Sequence, residues 1–456
     1  MLATSTARVH GHYDFFTGLI TLDRFEAADE ETIAKALART PGLDINAETI
    51  LLRDIRALFK HELTHFLDHV TTTWGIEFLI RRNRLIQAIE KDLDVERPLE
   101  VYLLNAAELT MHADLVRTHQ PGSLKQCDMV KHALRYDRRH GAVVIVYFYS
   151  ADELVIEVPL SMLSLLEANA IANEYLSRLD DVQQMETQQR DIATATVERK
   201  LEKVLSDLTL SEYSVIITLA RLHFDYLDTR QLLRFVGALA CFCLDASIQA
   251  LGTMSNVIRR TFRNGEIGNA VWADLNRGMS RHVLAFKTIS LMHNFMCGAA
   301  ENERQPFRAA LAADPYRAIR AFWDRAGMRD VLGPDYEKKV GLKILKENGA
   351  ATEFLIASES VERNVKWKTN KSLEGCNFDE IACLDILLGD DTVISSPNRI
   401  DLDVLEHSYA IAGTYLEAEK RAGDDVGKFH MHPQQAAAML AMASQAERGH
   451  SVYLDN

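Results

Sequence analysis

Hydrophobic and polar positions alternate at short period near the start of the chain and settle into helical period soon after. His12 to Phe16 and Leu19 to Leu22 read as a β-hairpin turning at Thr17-Gly18. Helical periodicity follows from about Asp29 to Ala38, and Pro41-Gly42 breaks it. The next segment carries start and stop signals: Asn46 as N-cap, Glu48 in the first turn and Gly75 at the close. Between them Leu51, Ile55, Leu58, Leu63, Phe66 and Val70 form the apolar surface of a buried helix. A further helix, about Ile76 to Lys91, has a basic outer face. Ala142 to Tyr149 is a β-branched and aromatic run, which Ala151-Asp152-Glu153 turns into a second strand, Leu154 to Val158. Pro159 ends that strand, and a helix starts near Ser161 or Ser164. From there to about Ala300 the pattern is almost wholly helical. Arg304-Gln305-Pro306 marks a joint, more helices follow, and a weaker mixed stretch covers Phe354 to Asp403. No repeat at solenoid period interrupts this order. The expected architecture is α+β and predominantly α-helical, in three domains over 1–190, 191–303 and 304–456.

Composition narrows the function classes. The chain has 456 residues, 47% hydrophobic and 25% charged, which is ordinary for a globular protein with ample core. A net charge of −14 disfavours non-specific nucleic-acid binding, whose affinity comes mainly from neutralising phosphates. The basic runs Arg81-Arg82-Asn83-Arg84 and Arg138-Arg139-His140 are short and read as solvated faces. Phe235 to Leu244 is the longest apolar run, too short to span a bilayer, and no basic-then-apolar leader opens the chain. Neither nucleic acid nor membrane is expected as a partner. Six cysteines (Cys127, Cys241, Cys243, Cys297, Cys376, Cys383) show no C-x-x-C spacing and fit reduced thiols in a cytoplasmic protein. Cys241-Phe242-Cys243 lies in an apolar helical stretch and reads as core.

Against this background one helical turn stands out, His61-Glu62-Leu63-Thr64-His65. Side chains four apart share a helix face, so both imidazoles can reach one zinc ion (Zn2+) at about 2.0–2.1 Å. Glu62 projects from the next angular position, where it serves as general base to a water whose pKa the metal lowers to roughly 7. The rival reading is a core helix with two satisfied histidines.

Catalytic zinc sites usually take three protein ligands. The metzincin solution needs Gly and His where this chain has Asp68 and Thr71, so it is excluded. His69 is two turns and about 12 Å of rise from His61 and is expected to pack or hydrogen-bond beside the site. A glutamate from a second helix is the other common solution, and Leu166-Glu167-Ala168-Asn169-Ala170-Ile171-Ala172-Asn173-Glu174-Tyr175-Leu176 is the candidate. This stretch resembles the glutamate helix of gluzincin metallopeptidases, especially aminopeptidases with an E-G-F-A-x-x-x-E-Y-L-like pattern. The resemblance implies a zincin-like core, Glu167 as third ligand, and Glu174 as an acid that accepts from a ligating imidazole. It covers two helices, and the pattern's Gly and Phe are Ala168 and Asn169 here. Two alternatives stay open for the third ligand. Ser164-Leu165-Leu166-Glu167 also fits a capping box, and Glu108 lies nearer the motif. Glu174 also reads as an exposed helical acid.

Gluzincins commonly add a Tyr or His that stabilises the oxyanion, from a helix several dozen residues beyond the glutamate. Tyr213, His223 and Tyr226 occupy that region, and His223 and Tyr226, three apart, share a face; core packing is the alternative for each. The Ala142 to Tyr149 strand either offers an edge to a peptide backbone or is internal. His430-Met431-His432-Pro433 is a further histidine cluster without a completing ligand set. Taken together, these features lead us to expect a zinc-dependent metallopeptidase acting on a protein or peptide. The rivals are a non-peptidase zinc amide or ester hydrolase and an inactive binding or scaffold protein.

Overall fold

The computed structural model describes residues 10–38, 46–137, 140–183, 185–262, 265–329, 333–347, 352–368 and 380–422. Its elements begin with β1 (His12–Asp14), β2 (Leu19–Leu22), α1 (Glu30–Ala38), α2 (Ala47–Thr71), α3 (Thr73–Glu90) and α4 (Glu96–Leu115). Then come β3 (Arg117–Thr118), β4 (Met129–Asp137), β5 (Gly141–Ser150), β6 (Glu153–Pro159), α5 (Met162–Gln183), α6 (Thr187–Ser206) and α7 (Ser211–His223). The helical run continues through α8 (Thr229–Asp245), α9 (Ile248–Arg259), α10 (Gly265–Asn276), α11 (Arg281–Gly298), α12 (Glu301–Ala313) and α13 (Pro315–Trp323). Last are α14 (Pro334–Glu347), α15 (Thr352–Asn364), β7 (Ile386–Leu388), β8 (Val393–Ile394) and α16 (Val404–Ala422). The fold is α+β with helix predominant, as the periodicity predicts.

Two compact units are interleaved along the sequence. Among the described residues, the first takes those within 10–104, 169–198 and 333–422, and the second those within 105–168 and 199–329. The division falls inside α4, α5 and α6, each of which is one unbroken helix.

The first unit holds the sheet β1-β2-β7-β8. The hairpin β1–β2 is the predicted one, but β7 adds to it in parallel, pairing Thr21 with Leu387 and Leu22 with Leu388. Leu19, Leu384, Leu387, Ile400 and Val404 form a core cluster at this sheet. The helix signals at Asn46 hold: its side chain accepts from the Thr49 amide at 2.8 Å, as an N-cap should. Gly75 does not close that helix. Thr72 divides α2 from α3 in extended conformation (φ −99°, ψ 157°), and its hydroxyl accepts from the Gly75 amide at 3.0 Å. Glycine is required there by approach, since a Cβ would lie 2.1 Å from the His69 carbonyl oxygen. Arg84 is exposed on α3, as a basic outer face requires, but Arg82 leaves that face: it is buried and donates to the Phe16 carbonyl at 2.8 Å.

The second unit holds the antiparallel sheet β3-β6-β5-β4. Ala151 and Asp152 carry φ of 49° and 65° in the β5–β6 turn, the left-handed pair that a two-residue hairpin turn demands. The Ala142 to Tyr149 run is internal, with β4 on one side and β6 on the other, so it offers no edge to a peptide. Pro306 lies inside α12, and the chain breaks instead at Ala299 and Ala300. Arg138, Arg139, Cys376 and His430-Met431-His432-Pro433 lie outside the described residues.

Candidate metal centre

Helix α2 buries His61, Glu62, His65, Asp68 and His69 along its last turns, and α5 buries Glu167, Asn169 and Asn173. A buried helix face of this polarity is costly unless its groups meet partners. Three of them meet one another. One ligand atom each from His61, His65 and Glu167 lies within 4.8 Å of the other two. Ligand atoms about 2.1 Å from a tetrahedral ion are about 3.4 Å apart, so small side-chain adjustments bring this set to zinc spacing. Two imidazoles and one carboxylate are a donor set that catalytic zinc uses. The residues present therefore fit the metal.

A capping role for Glu167 is not what the structure gives. The helix starts at Met162, and Ser161 caps it by accepting the Ser164 amide at 3.1 Å, which places Glu167 a turn further in. Glu108 is engaged in the second unit: its Oε1 accepts the Ser280 amide at 2.6 Å, at the left-handed start of α11. It is not a member of the His61–His65–Glu167 group among the described residues.

Glu174 faces His61 and is largely buried beside it rather than exposed. Its Oε2 is 3.3 Å from His61 Nδ1, and its Oε1 accepts from Arg178 at 2.9 and 3.1 Å. Arg178 also pairs with Asp54 on α2. Burial alone would raise the Glu174 carboxyl, but Arg178 and His61 outweigh it and hold the group below the usual carboxylate range. An ionised acceptor at Nδ1 keeps the proton there and leaves the Nε2 lone pair of His61 for a ligand. Tyr175, next along, is buried under the Arg178 guanidinium, 5.6 Å from the ring centroid.

Two features lie beyond the residues that the motifs single out. Asp68 receives the Asn169 amide on both oxygens, at 3.0 and 2.9 Å, and Asn173 donates in turn to Asn169 Oδ1 at 3.0 Å and its carbonyl at 2.8 Å. The signal was present, because Asn169 stands where the resembling pattern has an apolar residue and Asp68 shares the face of His65. The second feature is Gly11, just before β1. A Cβ there would sit 2.9 Å from the Thr21 carbonyl and 3.3 Å from Glu62 Oε1, so the missing side chain makes room for the candidate base.

His69 packs beside the group as expected. Its Nδ1 is 2.8 Å from the Tyr13 hydroxyl, and its ring meets Phe15 and Phe78. Burial, aided by Arg82, keeps this imidazole well below its ordinary pKa and therefore neutral. His223 and Tyr226 are employed elsewhere, in the second unit. His223 Nδ1 donates to the Leu219 carbonyl at 2.8 Å, and its ring packs on His293. Tyr226 points its hydroxyl at Met296 Sδ, 3.5 Å away, beneath Arg308. None of the described contacts of either residue is with the α2–α5 group.

Comparison with protein-family models, with curated proteins and with solved structures gives no match to this chain.

Proposed function

We infer that this protein is a zinc-dependent metallopeptidase of gluzincin type that hydrolyses a peptide bond. The observation that carries the reading is the convergence of His61, His65 and Glu167, from two helices, beside an intact Glu62. A structural helix needs none of this chemistry at Glu62. Zinc held by His61, His65 and Glu167 would polarise the scissile carbonyl and lower the pKa of a bound water to roughly 7. Glu62 takes the proton of the attacking water and returns it to the leaving amine nitrogen. Glu174 fixes the tautomer of His61, and Arg178 keeps Glu174 ionised. The Asp68–Asn169 pair ties α2 to α5 within a turn of the ligands on both helices, which limits drift of Glu167 from the histidines.

No single described helix is long and apolar enough to cross a membrane. The five described cysteines are free thiols, which supports a reducing, cytoplasmic setting for the enzyme.

The test is metal analysis of the purified chain together with digestion of a peptide library read by mass spectrometry. Stoichiometric zinc and cleavage that is lost on chelation and in Glu62→Gln support the reading. Zinc without cleavage of any peptide would turn it toward a non-peptidase amide or ester hydrolase. Absence of bound zinc after reconstitution would end it.

A further inference from the structure

A second reactive arrangement lies in the second unit, where α7 ends against α11, and it owes nothing to the zinc reading. Of the five described cysteines, Cys297 is the exposed one, while Cys241, Cys243 and Cys383 are buried and Cys127 is half-buried. Burial pushes the Cys243, Cys383 and Cys127 thiols up, which makes them poor nucleophiles. Cys297 is one turn after His293 on the same helix face, with Sγ 3.4 Å from His293 Nε2.

The other nitrogen of His293 decides what that contact is. Nδ1 lies 3.0 Å from the backbone carbonyl of His223, the last residue of α7, where helical carbonyls lack an intrahelical donor. A carbonyl only accepts, so Nδ1 carries the proton and Nε2 presents a lone pair. The His223 ring packs edge-on against His293, with centroids 4.9 Å apart and planes at 87°, and holds the imidazole in place. The Cys297 thiol is then the donor, aimed at a fixed base.

We propose that Cys297 and His293 form a reactive thiol–imidazole pair that takes up small-molecule disulfides as a mixed disulfide. The Cys297 proton passes to His293 Nε2, and the sulfur attacks one sulfur of the disulfide R–S–S–R. A Cys297–S–S–R bond forms as the original S–S bond breaks, and the departing thiolate takes the proton from His293 to leave as RSH. The disulfide is the oxidant, so the step needs no other.

The experiment uses the full chain and glutathione disulfide, with isotope-coded peptide mapping to follow each cysteine. The folded chain should label first at Cys297, at least about tenfold faster than the same cysteine in the urea-unfolded chain, where the pair is gone. A reference cysteine peptide in the same urea corrects for solvent. His293→Gln, checked as folded by circular dichroism, should bring the folded rate down to the unfolded one, and Cys297→Ser should remove the early label. Three results would overturn the proposal: another cysteine labelling first, a folded rate no higher than the unfolded one, or an undiminished rate in folded His293→Gln.

Discussion

Asn169 donates its side-chain amide to both carboxylate oxygens of Asp68, joining two buried helices 101 residues apart in sequence. The two residues follow His65 by three positions and Glu167 by two, so the pair acts as a strut at the level of the candidate ligands. Buried polar networks of this kind stabilise when satisfied and penalise heavily when a member is removed.

Asn169→Ala should therefore destabilise the metal-free chain by about 1.5–3 kcal/mol, the range for hydrogen bonds to a charged group. Urea titration with the slope held common measures it. A loss within about 0.5 kcal/mol, the range of ordinary surface substitutions, would mean the strut carries no weight.

Ligands and their supports should separate in zinc affinity. His65→Ala and Glu167→Ala should abolish stoichiometric zinc, while Glu174→Gln should weaken it by roughly 10- to 100-fold and leave the site intact. Competition with a chromogenic chelator reads all three. Retention of full affinity in Glu167→Ala would remove that residue from the ligand set.

Glu62→Gln should keep metal and melting temperature but lose hydrolysis by roughly 10²–10⁴-fold, because it removes only the proton acceptor. Single-turnover cleavage of whichever peptide the library selects is the measurement. Turnover near the unsubstituted rate would assign the base elsewhere.

The buried His282 gives a pH dependence independent of the metal. Burial lowers this imidazole from 6.5 to about 3. Between those values the unfolded chain binds a proton that the folded chain does not, so stability falls as pH drops from 6.5 toward 3 and is unaffected by this group above 6.5. The contribution is up to about 1.4 kcal/mol per pH unit across that window. His282→Leu should flatten the urea-derived stability curve between pH 6 and 4 by that slope (roughly one proton's worth), and an unchanged slope would contradict the assignment.

Legibility followed the range of the interaction. The cap at Asn46 and the turn at Ala151-Asp152 were readable because each depends on residues within one turn of the chain. Strand β4 was not: Met129–Asp137 has Val130 as its one β-branched residue, and its pairing with β5 gives it its strand character. Strand β7 was missed for a stronger reason, since Leu387 pairs with Thr21 across almost the whole chain. The burial of Arg82 is not legible locally, because nothing in its neighbourhood of the sequence says that the Phe16 carbonyl awaits its guanidinium.

The sequence alone determined that His61, Glu62 and His65 share one helical turn, because spacing of four on an α-helix is a local and fixed geometry. It also determined that α5 carries acids seven apart, two turns along one face, at Glu167 and Glu174. Only the tertiary structure decided that Glu167 faces the histidines while Glu108 accepts the Ser280 amide just ahead of α11. It likewise decided that Glu174 meets His61 Nδ1 and that His223 turns its backbone carbonyl to His293. Those outcomes depend on which helices pack and at what rotation, and packing is chosen by the sum of many weak apolar contacts spread over distant segments. A motif can name the residues that carry chemistry, but the partner each one meets is set by that sum.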